Sequence, residues 1–329
     1  MTAPPVLSVR DLVVEIPTRH GVLRPVDAVS YDIHAGEILG VVGESGAGKS
    51  MTGNAVIGLL DPPARIVSGE ILLSGQPVHT LGGDALRRLR GKRMGMIFQD
   101  PLTSLNPLLT VGDQLTETIL AHLDIAPSEA RKRAVAALEE VGIPAARDRI
   151  DSYPHEFSGG QRQRIAIARA MILEPRFVVC DEPISALDVS VQAQVINLLA
   201  ELKKDLGLTL LFIAHDLSMV RYVSDRMAVM YLGSLIELGP SDEVFFRPKH
   251  PNTQLLVASN PEPDPALARA PRPTMSGEIP SPVNLGAGCR FASRCPEATE
   301  RCRQETPLLK PVEAGEGAGP RLVACHLYP

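Results

Sequence analysis

Gly43-Glu44-Ser45-Gly46-Ala47-Gly48-Lys49-Ser50 matches the phosphate-binding pattern G-x-x-x-x-G-K-[ST] at every fixed position. The apolar run Ile38 to Val42 before it reads as a buried strand, and Met51 to Leu60 after it reads as a helix. The glycines let the backbone wrap a phosphate chain at close range, while loop amides and the positive end of the helix supply donors. Lys49 reaches the β- and γ-phosphates, and Ser50 can hold Mg2+. An ordinary glycine-rich turn would lack the flanking strand and helix. The stretch therefore reads as a nucleoside triphosphate site, with Gly43, Ser45, Gly46, Gly48, Lys49, Ser50 and Met51 as its binding residues.

Upstream, residues 6–16 alternate loosely and are rich in β-branched side chains; Pro17 to Pro25 read as a turn-prone loop, and Val26 to Ile33 as a second strand. Ser68 to Leu73 and Gln76 to Val78 read as a strand pair joined by Ser74-Gly75. These pieces predict an antiparallel β layer beside a nucleotide core. The basic segment Leu86 to Arg93 reads as a solvated helix face.

Further along, three apolar runs end in polar residues: Met94 to Phe98 in Gln99, Phe177 to Cys180 in Asp181-Glu182, and Leu208 to Ala214 in His215-Asp216. Two carboxylates at a buried strand end are costly without a cation. Asp181 accordingly reads as a Mg2+ ligand and Glu182 as the group that polarises water, with a structural ion pair as the alternative. A lone histidine is usually structural; its place at the end of a core strand makes His215 a candidate sensor of the γ-phosphate. Between these strands, about residues 100–170, the pattern turns helical. Val111, Leu115 and Ile119 recur every four residues, and Ser128 is the expected N-cap of a helix reaching Val141. The segment predicts a helical subdomain inserted into the core. It closes at Ser158-Gly159-Gly160-Gln161, before a helix over Arg162 to Leu173, and this turn is either a simple N-cap or an anion site. Ser185-Ala186-Leu187-Asp188 then precedes an amphipathic helix from Val191 to about Leu206.

The chain has 329 residues, enough for one large core plus an appendage. Its hydrophobic and charged fractions, 44% and 22%, are those of a globular protein, and a net charge of −5 offers no nucleic-acid footprint. No apolar run approaches the ~20 residues that span a bilayer. Pro4, Pro5 and Asp11 do not fit a secretion signal, so a cytoplasmic chain is expected. From about Pro248 the composition shifts. Pro261, Pro263, Pro265, Pro271, Pro273, Pro280 and Pro282 predict an extended linker. Beyond it Cys289, Cys295, Cys302 and Cys325, spaced C-x5-C-x6-C-x22-C, lie in a stretch with few apolar residues, which a bound metal would help to fold. The spacing leaves an iron–sulfur cluster, zinc and unligated thiols all open.

The phosphate loop, Gln99, Ser158 to Gln161, Asp181-Glu182, Ser185 to Asp188 and His215, in that order, resemble the ATP-binding subunits of ABC transporters over about residues 6 to 245. The resemblance implies an α/β P-loop NTPase of ABC type: a RecA-like core with an antiparallel β layer and a helical signature subdomain. The expected ATP-binding domain is residues 1–247, with a cysteine-bearing extension over 248–329. It further implies ATP and Mg2+ as cofactors, with Ser50, Gln99 and Asp181 on the metal, Glu182 as general base, Lys49 on the phosphates, His215 as switch histidine and Asp188 in the loop before the next helix. Ser158, Gly159 and Gly160 would act on ATP held by a partner subunit, and Gln161 is counted with them among the nucleotide-binding residues. More narrowly, Phe98 to Pro107, His250-Pro251-Asn252-Thr253-Gln254 and the late cysteines look like the dipeptide/oligopeptide importer ATPases of the "D" type, some of which bind a [4Fe-4S] cluster. Two transmembrane permease subunits, a sister ATP-binding subunit or a second copy of this chain, and indirectly an extracytoplasmic peptide-binding protein are the implied partners, at the cytoplasmic face of the inner membrane. The other readings are an ATPase of a nickel or other small-solute importer and a soluble non-transport ABC ATPase. Where the family often stacks an aromatic on adenine, around Val22 to Arg24, this chain offers only Leu23.

Overall fold

The computed structural model describes residues 4–185, 187–259, 280–313 and 319–328, without the side chain at position 102. Ala186 and the prolines at 261, 263, 265, 271 and 273, on which most of the expected linker rests, lie outside the described residues. The chain divides into two compact units, residues 1–33, 37–79 and 212–329, and residues 34–36 and 80–211.

The first unit begins with β1 (Leu7–Thr18), β2 (Gly21–Ile33), β3 (Ile38–Gly43), α1 (Lys49–Ile57), β4 (Arg65–Leu73) and β5 (Gln76–Pro77). Strands β2-β1-β4-β5, in that order, form the antiparallel layer. Their alternating Val9, Leu12, Val14, Val26, Val29 and Ile71 are buried. The loop expected from Pro17 to Pro25 is instead the tip of a hairpin: Pro17 pairs with Val22, and the strands turn at Arg19-His20. Pro25 sits where the register shifts between Val14–Val26 and Ile16–Leu23, and a bulge there tolerates its missing N–H. Strand β3 is buried along its whole length, as an unbroken apolar run requires, and α1 starts at Lys49, two residues before the expected Met51.

The same unit resumes with α9 (Leu217–Val223), β9 (Arg226–Tyr231), β10 (Ser234–Pro240), α10 (Ser241–Phe246), α11 (Pro251–Ala258), α12 (Glu300–Gln304), β11 (Lys310–Val312) and β12 (Arg321–Val323). Strand β9 lies parallel to β3, from Leu39–Arg226 to Gly43–Met230, and the order outward is β3-β9-β10-β12-β11. The cysteine-bearing piece is thus fastened to the sheet. Strand β12 pairs antiparallel with β10, Phe291 is buried edge-on against Tyr231 with ring centroids 5.3 Å apart, and the buried Arg321 guanidinium is paired with the buried Glu237 carboxylate. Glu237 also accepts from the amides of Lys249 (3.0 Å) and His250 (2.9 Å), so its buried charge is fully partnered.

The second unit carries α2 (Gly83–Leu89), β6 (Met94–Ile97), α3 (Pro101–Ser104), α4 (Val111–Leu120), α5 (Pro127–Glu140), α6 (Ala146–Arg149), α7 (Gly159–Met171), β7 (Phe177–Asp181), α8 (Val189–Leu206) and the start of β8 (Thr209–Ile213). Strand β6 pairs parallel with β7, from Met94–Phe177 to Ile97–Cys180. Helices α3 to α7 are the expected helical subdomain. Val111, Leu115 and Ile119 form the buried stripe of α4, whose cap Thr110 accepts from the Asp113 amide at 3.1 Å. Helix α5 begins one residue before the expected cap: Pro127 occupies its first turn, where a missing N–H costs nothing, and Ser128 lies inside the helix.

Candidate functional site

In the first unit, Lys49 is buried and its Nζ donates to the carbonyls of Gly43 (2.9 Å) and Glu44 (3.1 Å), so the ammonium is curled over its own loop. The loop is backed by main chain. The Gly233 amide donates to the Ala47 carbonyl at 2.9 Å, and the Asp27 amide to Gly233 at 2.8 Å. Gly48 has φ +99°, and a Cβ there would lie 1.8 Å from the Pro25 carbonyl; one on Gly43 would lie 2.3 Å from that of Met230. No side chain fits behind this loop. Its other face is open, with Ser45 and Gly46 exposed and Ser50 and Met51 half-buried. His215 is also in this unit. It is exposed, between Ala214, whose amide donates to Val41 at 3.1 Å, and Asp216, which caps α9 by accepting from Met219 at 3.0 Å.

In the second unit, Asp181 ends β7 in a buried position, and with burial as the larger cause it pushes the neighbouring Cys180 thiol up to about 12. Glu182 takes φ +44°, a conformation that costs a non-glycine residue about 1 kcal/mol or more. The turn is secured by Ser185, whose amide and hydroxyl both donate to the Glu182 carbonyl (3.2 and 3.1 Å). Gln99 and Glu182, 83 residues apart, meet: Gln99 Nε2 donates to Glu182 Oε2 at 2.9 Å. The exposed Asp188 stands at the N-cap of α8. At the start of α7, Ser158 Oγ accepts from the Gln161 amide (3.3 Å) and Gln161 Oε1 from the Ser158 amide (3.1 Å), a reciprocal capping box. The N-cap reading of Ser158 holds, and Gly159 and Gly160 follow it half-exposed.

Residues 26–185 match the ABC transporter family and residues 236–302 the oligopeptide/dipeptide transporter C-terminal region. A peptide import ATP-binding protein of Brucella ovis is 49% identical over 315 residues, covering 96% of this chain and 97% of that protein. The chain belongs to the ABC transporter ATP-binding subunits of the dipeptide/oligopeptide family. The oligopeptide transport ATP-binding protein OppF of Salmonella typhimurium is 46% identical, covering 92% of this chain and 87% of that one. That relative carries the F designation rather than the expected "D". Among solved structures, a dimeric ATP-binding cassette bound to ADP and Pi is 25% identical, with a TM-score of 0.64 over 71% of this chain and 98% of that one. The Clostridium perfringens cbiO1, part of an ABC transporter complex, is 29% identical with a TM-score of 0.64 over 74% of this chain and 92% of that one. This ABC subunit is accordingly an ATPase with the cassette fold.

The expected iron–sulfur ligation in this ABC subunit is not supported. Among the described residues no group of three or more His, Cys, Asp or Glu is arranged to hold a metal ion. Three of the thiols are raised: burial first, then Cys302, Cys325 and Cys295, push Cys289 up to about 11, and burial is the first cause that raises Cys295 and Cys325. Cys302 Sγ shares a 3.3 Å hydrogen bond with the Thr299 hydroxyl. The C-terminal piece, sparse in apolar residues, does make contacts of its own with the sheet through β12, Phe291 and the Arg321–Glu237 pair. Leu23 is half-buried and bridged to Val283 of the C-terminal segment. Arg290 and Arg294, absent from the expected site, reach the phosphate loop's surroundings, and nothing in their local sequence separates them from ordinary surface arginines.

Proposed function

We propose that this ATPase powers import of di- or oligopeptides through a membrane ABC transporter, with Glu182 as its general base. The 2.9 Å bond from Gln99 to Glu182 is the observation that carries the assignment: a strained strand-end carboxylate is held by an amide that must let go, or turn, for the carboxylate to face water. Phosphoryl transfer asks little covalent work of a protein, so the residues act by position and charge. Lys49 exchanges its bonds to the Gly43 and Glu44 carbonyls for phosphate oxygens, loop amides from Gly46 to Ser50 bind the phosphate chain, and Glu182 takes the proton of the attacking water. His215 contacts the γ-phosphate. Ser50, Gln99 and Asp181 offer only hydroxyl, amide and carboxylate oxygens, the donor set suited to Mg2+, which when bound neutralises charge on the β- and γ-oxygens.

Ser158, Gly159, Gly160 and Gln161 serve the nucleotide of a second ATP-binding subunit, a sister chain or another copy, with Asp188 beside that contact. ATP then holds two subunits together and hydrolysis releases them. The expected division into an ATP-binding domain over 1–247 and an extension over 248–329 goes with this reading, as do two transmembrane permease subunits, an extracytoplasmic peptide-binding protein and a peripheral position on the inner face of the membrane. The peptide import names of the relatives support a peptide over nickel as the solute, and transport over a soluble role. Glu182→Gln in the purified transporter should retain ATP binding and slow phosphate release by about 10²-fold or more, as loss of a positioned base does. Undiminished steady-state hydrolysis would remove Glu182 from the role.

A further inference from the structure

The phosphate loop contains a carboxylate of its own. Glu44, immediately after Gly43, is half-buried with its side chain 13% exposed, and it flanks the loop proposed to receive the highly anionic triphosphate. An unneutralised carboxylate there would repel the ligand, through a low-dielectric surface that screens poorly. Arg294 meets it. The guanidinium, 5% exposed, donates through Nη1 to both Glu44 oxygens, Oε1 at 3.0 Å and Oε2 at 2.9 Å, and to the Tyr231 hydroxyl at 3.2 Å. Its central carbon lies over the rings of Tyr231 and Phe291, 5.8 and 5.7 Å from their centroids.

The segment that carries Arg294 is itself pinned. Arg290 donates to the Leu232 carbonyl and pairs with Asp27, next to Gly233, whose amide holds the loop at Ala47. The Arg294 amide donates to Phe291 at 3.0 Å and the Ala292 amide to Cys289 at 3.0 Å, so the two arginines stand on one run of turns bounded by Cys289 and Cys295. Two arginines from the same short segment, Arg294 buried and Arg290 half-buried, thus grip the phosphate loop and the corner behind it. A merely stabilising tail could have used apolar contacts alone.

We propose that Arg294 is a positioning residue for ATP binding: by neutralising and fixing Glu44 it keeps the loop's own carboxylate from opposing the triphosphate. The inference rests on the phosphate loop being the ATP site. The test is equilibrium binding of Mg·ATP to the full chain, wild type against R294M, R294K, E44Q and the R294M/E44Q pair, each with a thermal unfolding curve. R294M should raise Kd about tenfold, the effect of one close like charge partly screened by solvent. Adding E44Q should bring Kd back to within about twofold, because removing both partners leaves no orphaned charge. R294K should stay within about threefold, and the R294M penalty should shrink between roughly 0.05 and 1 M salt as the Debye length contracts. An R294M Kd equal to wild type, or a folded double variant with no recovery, overturns the proposal. E44Q alone weakening ATP as much as R294M would also overturn it, since the carboxylate would then be serving the ligand. If R294M does not fold, R294Q and the R294Q/E44Q pair decide the matter by the same two criteria. Failure of the wild-type chain to bind Mg·ATP at all would instead strike the phosphate-loop reading.

Discussion

Two glycine-rich turns open helices in this chain, and they are built in opposite ways. Gly43 to Ser50 is supported from behind: the Pro25 carbonyl stands where a Cβ on Gly48 would lie and that of Met230 where one on Gly43 would lie, the Gly233 amide holds Ala47, and Arg294 holds Glu44. Ser158 to Gln161 closes on itself. Its serine and glutamine cap each other, and Ser158 is exposed. A loop whose shape is imposed by its surroundings is pre-organised for a ligand that must be gripped, and little is lost on binding to order it. A self-capped, outward-facing turn keeps its donors available to whatever approaches the surface. The first suits a receptor and the second a group lent to a neighbouring subunit.

The sharpest way to break this contrast is one methyl group in each turn. Gly48→Ala must place a Cβ where the Pro25 carbonyl already lies, at a backbone angle alanine rarely takes, and neither constraint can relax without moving β2. We expect at least about 3 kcal/mol of destabilisation in thermal or denaturant unfolding, from strain and overpacking together. Gly160→Ala meets only the Val191 side chain, 2.5 Å from Cγ1, at an unstrained backbone, and a rotation of that valine should hold the loss to about 1 kcal/mol. Equal losses at the two positions would show that the phosphate loop is not braced as described. Next in size is Lys49→Ala, which removes the ammonium that now spans Gly43 and Glu44. Binding of Mg·ATP to the isolated chain should weaken by about 10²-fold, the order of a lost close charge pair. An unchanged affinity in a calorimetric titration would count against the loop as the receptor.

Much of this contrast is legible in the sequence because both turns are specified locally. Glycine, lysine and serine at fixed spacing, between an apolar run and a helical pattern, admit few other structures, and Ser158 before two glycines and a helical pattern reads as an N-cap. What was misread depended on a neighbour. Pro17 and Pro25 look like loop residues until the pairing of Pro17 with Val22 and the register shift beside Pro25 are known. Ser128 is a good cap by type, but Pro127 before it takes the first turn. The anchoring of the C-terminal piece was hidden because β11 and β12 are three residues each and the charged Arg321 is buried against Glu237, 84 positions earlier. Arg294 and Glu44 are 250 positions apart. No periodicity in a single sequence reports such a pair.

The smallest effect tests the other side of the comparison. Ser158→Ala deletes the hydroxyl that caps α7 while leaving both glycine amides and the helix itself. Its cost in stability should be about 1 kcal/mol, the usual loss for an alanine N-cap. If the turn serves a nucleotide held by another subunit, Mg·ATP affinity of the dilute single chain should not change. Hydrolysis by the assembled transporter should fall by about tenfold, the worth of one hydrogen bond to a charged oxygen. The two readouts separate the roles, because a cap that only steadies α7 would lower both activity and folding stability in step and would be repaired by Ser158→Asp, which restores the cap acceptor. An aspartate brought toward a γ-phosphate adds repulsion instead. Recovery of stability without recovery of hydrolysis in Ser158→Asp is therefore the outcome expected of a turn whose ligand belongs to its neighbour, and recovery of both would reduce it to a cap.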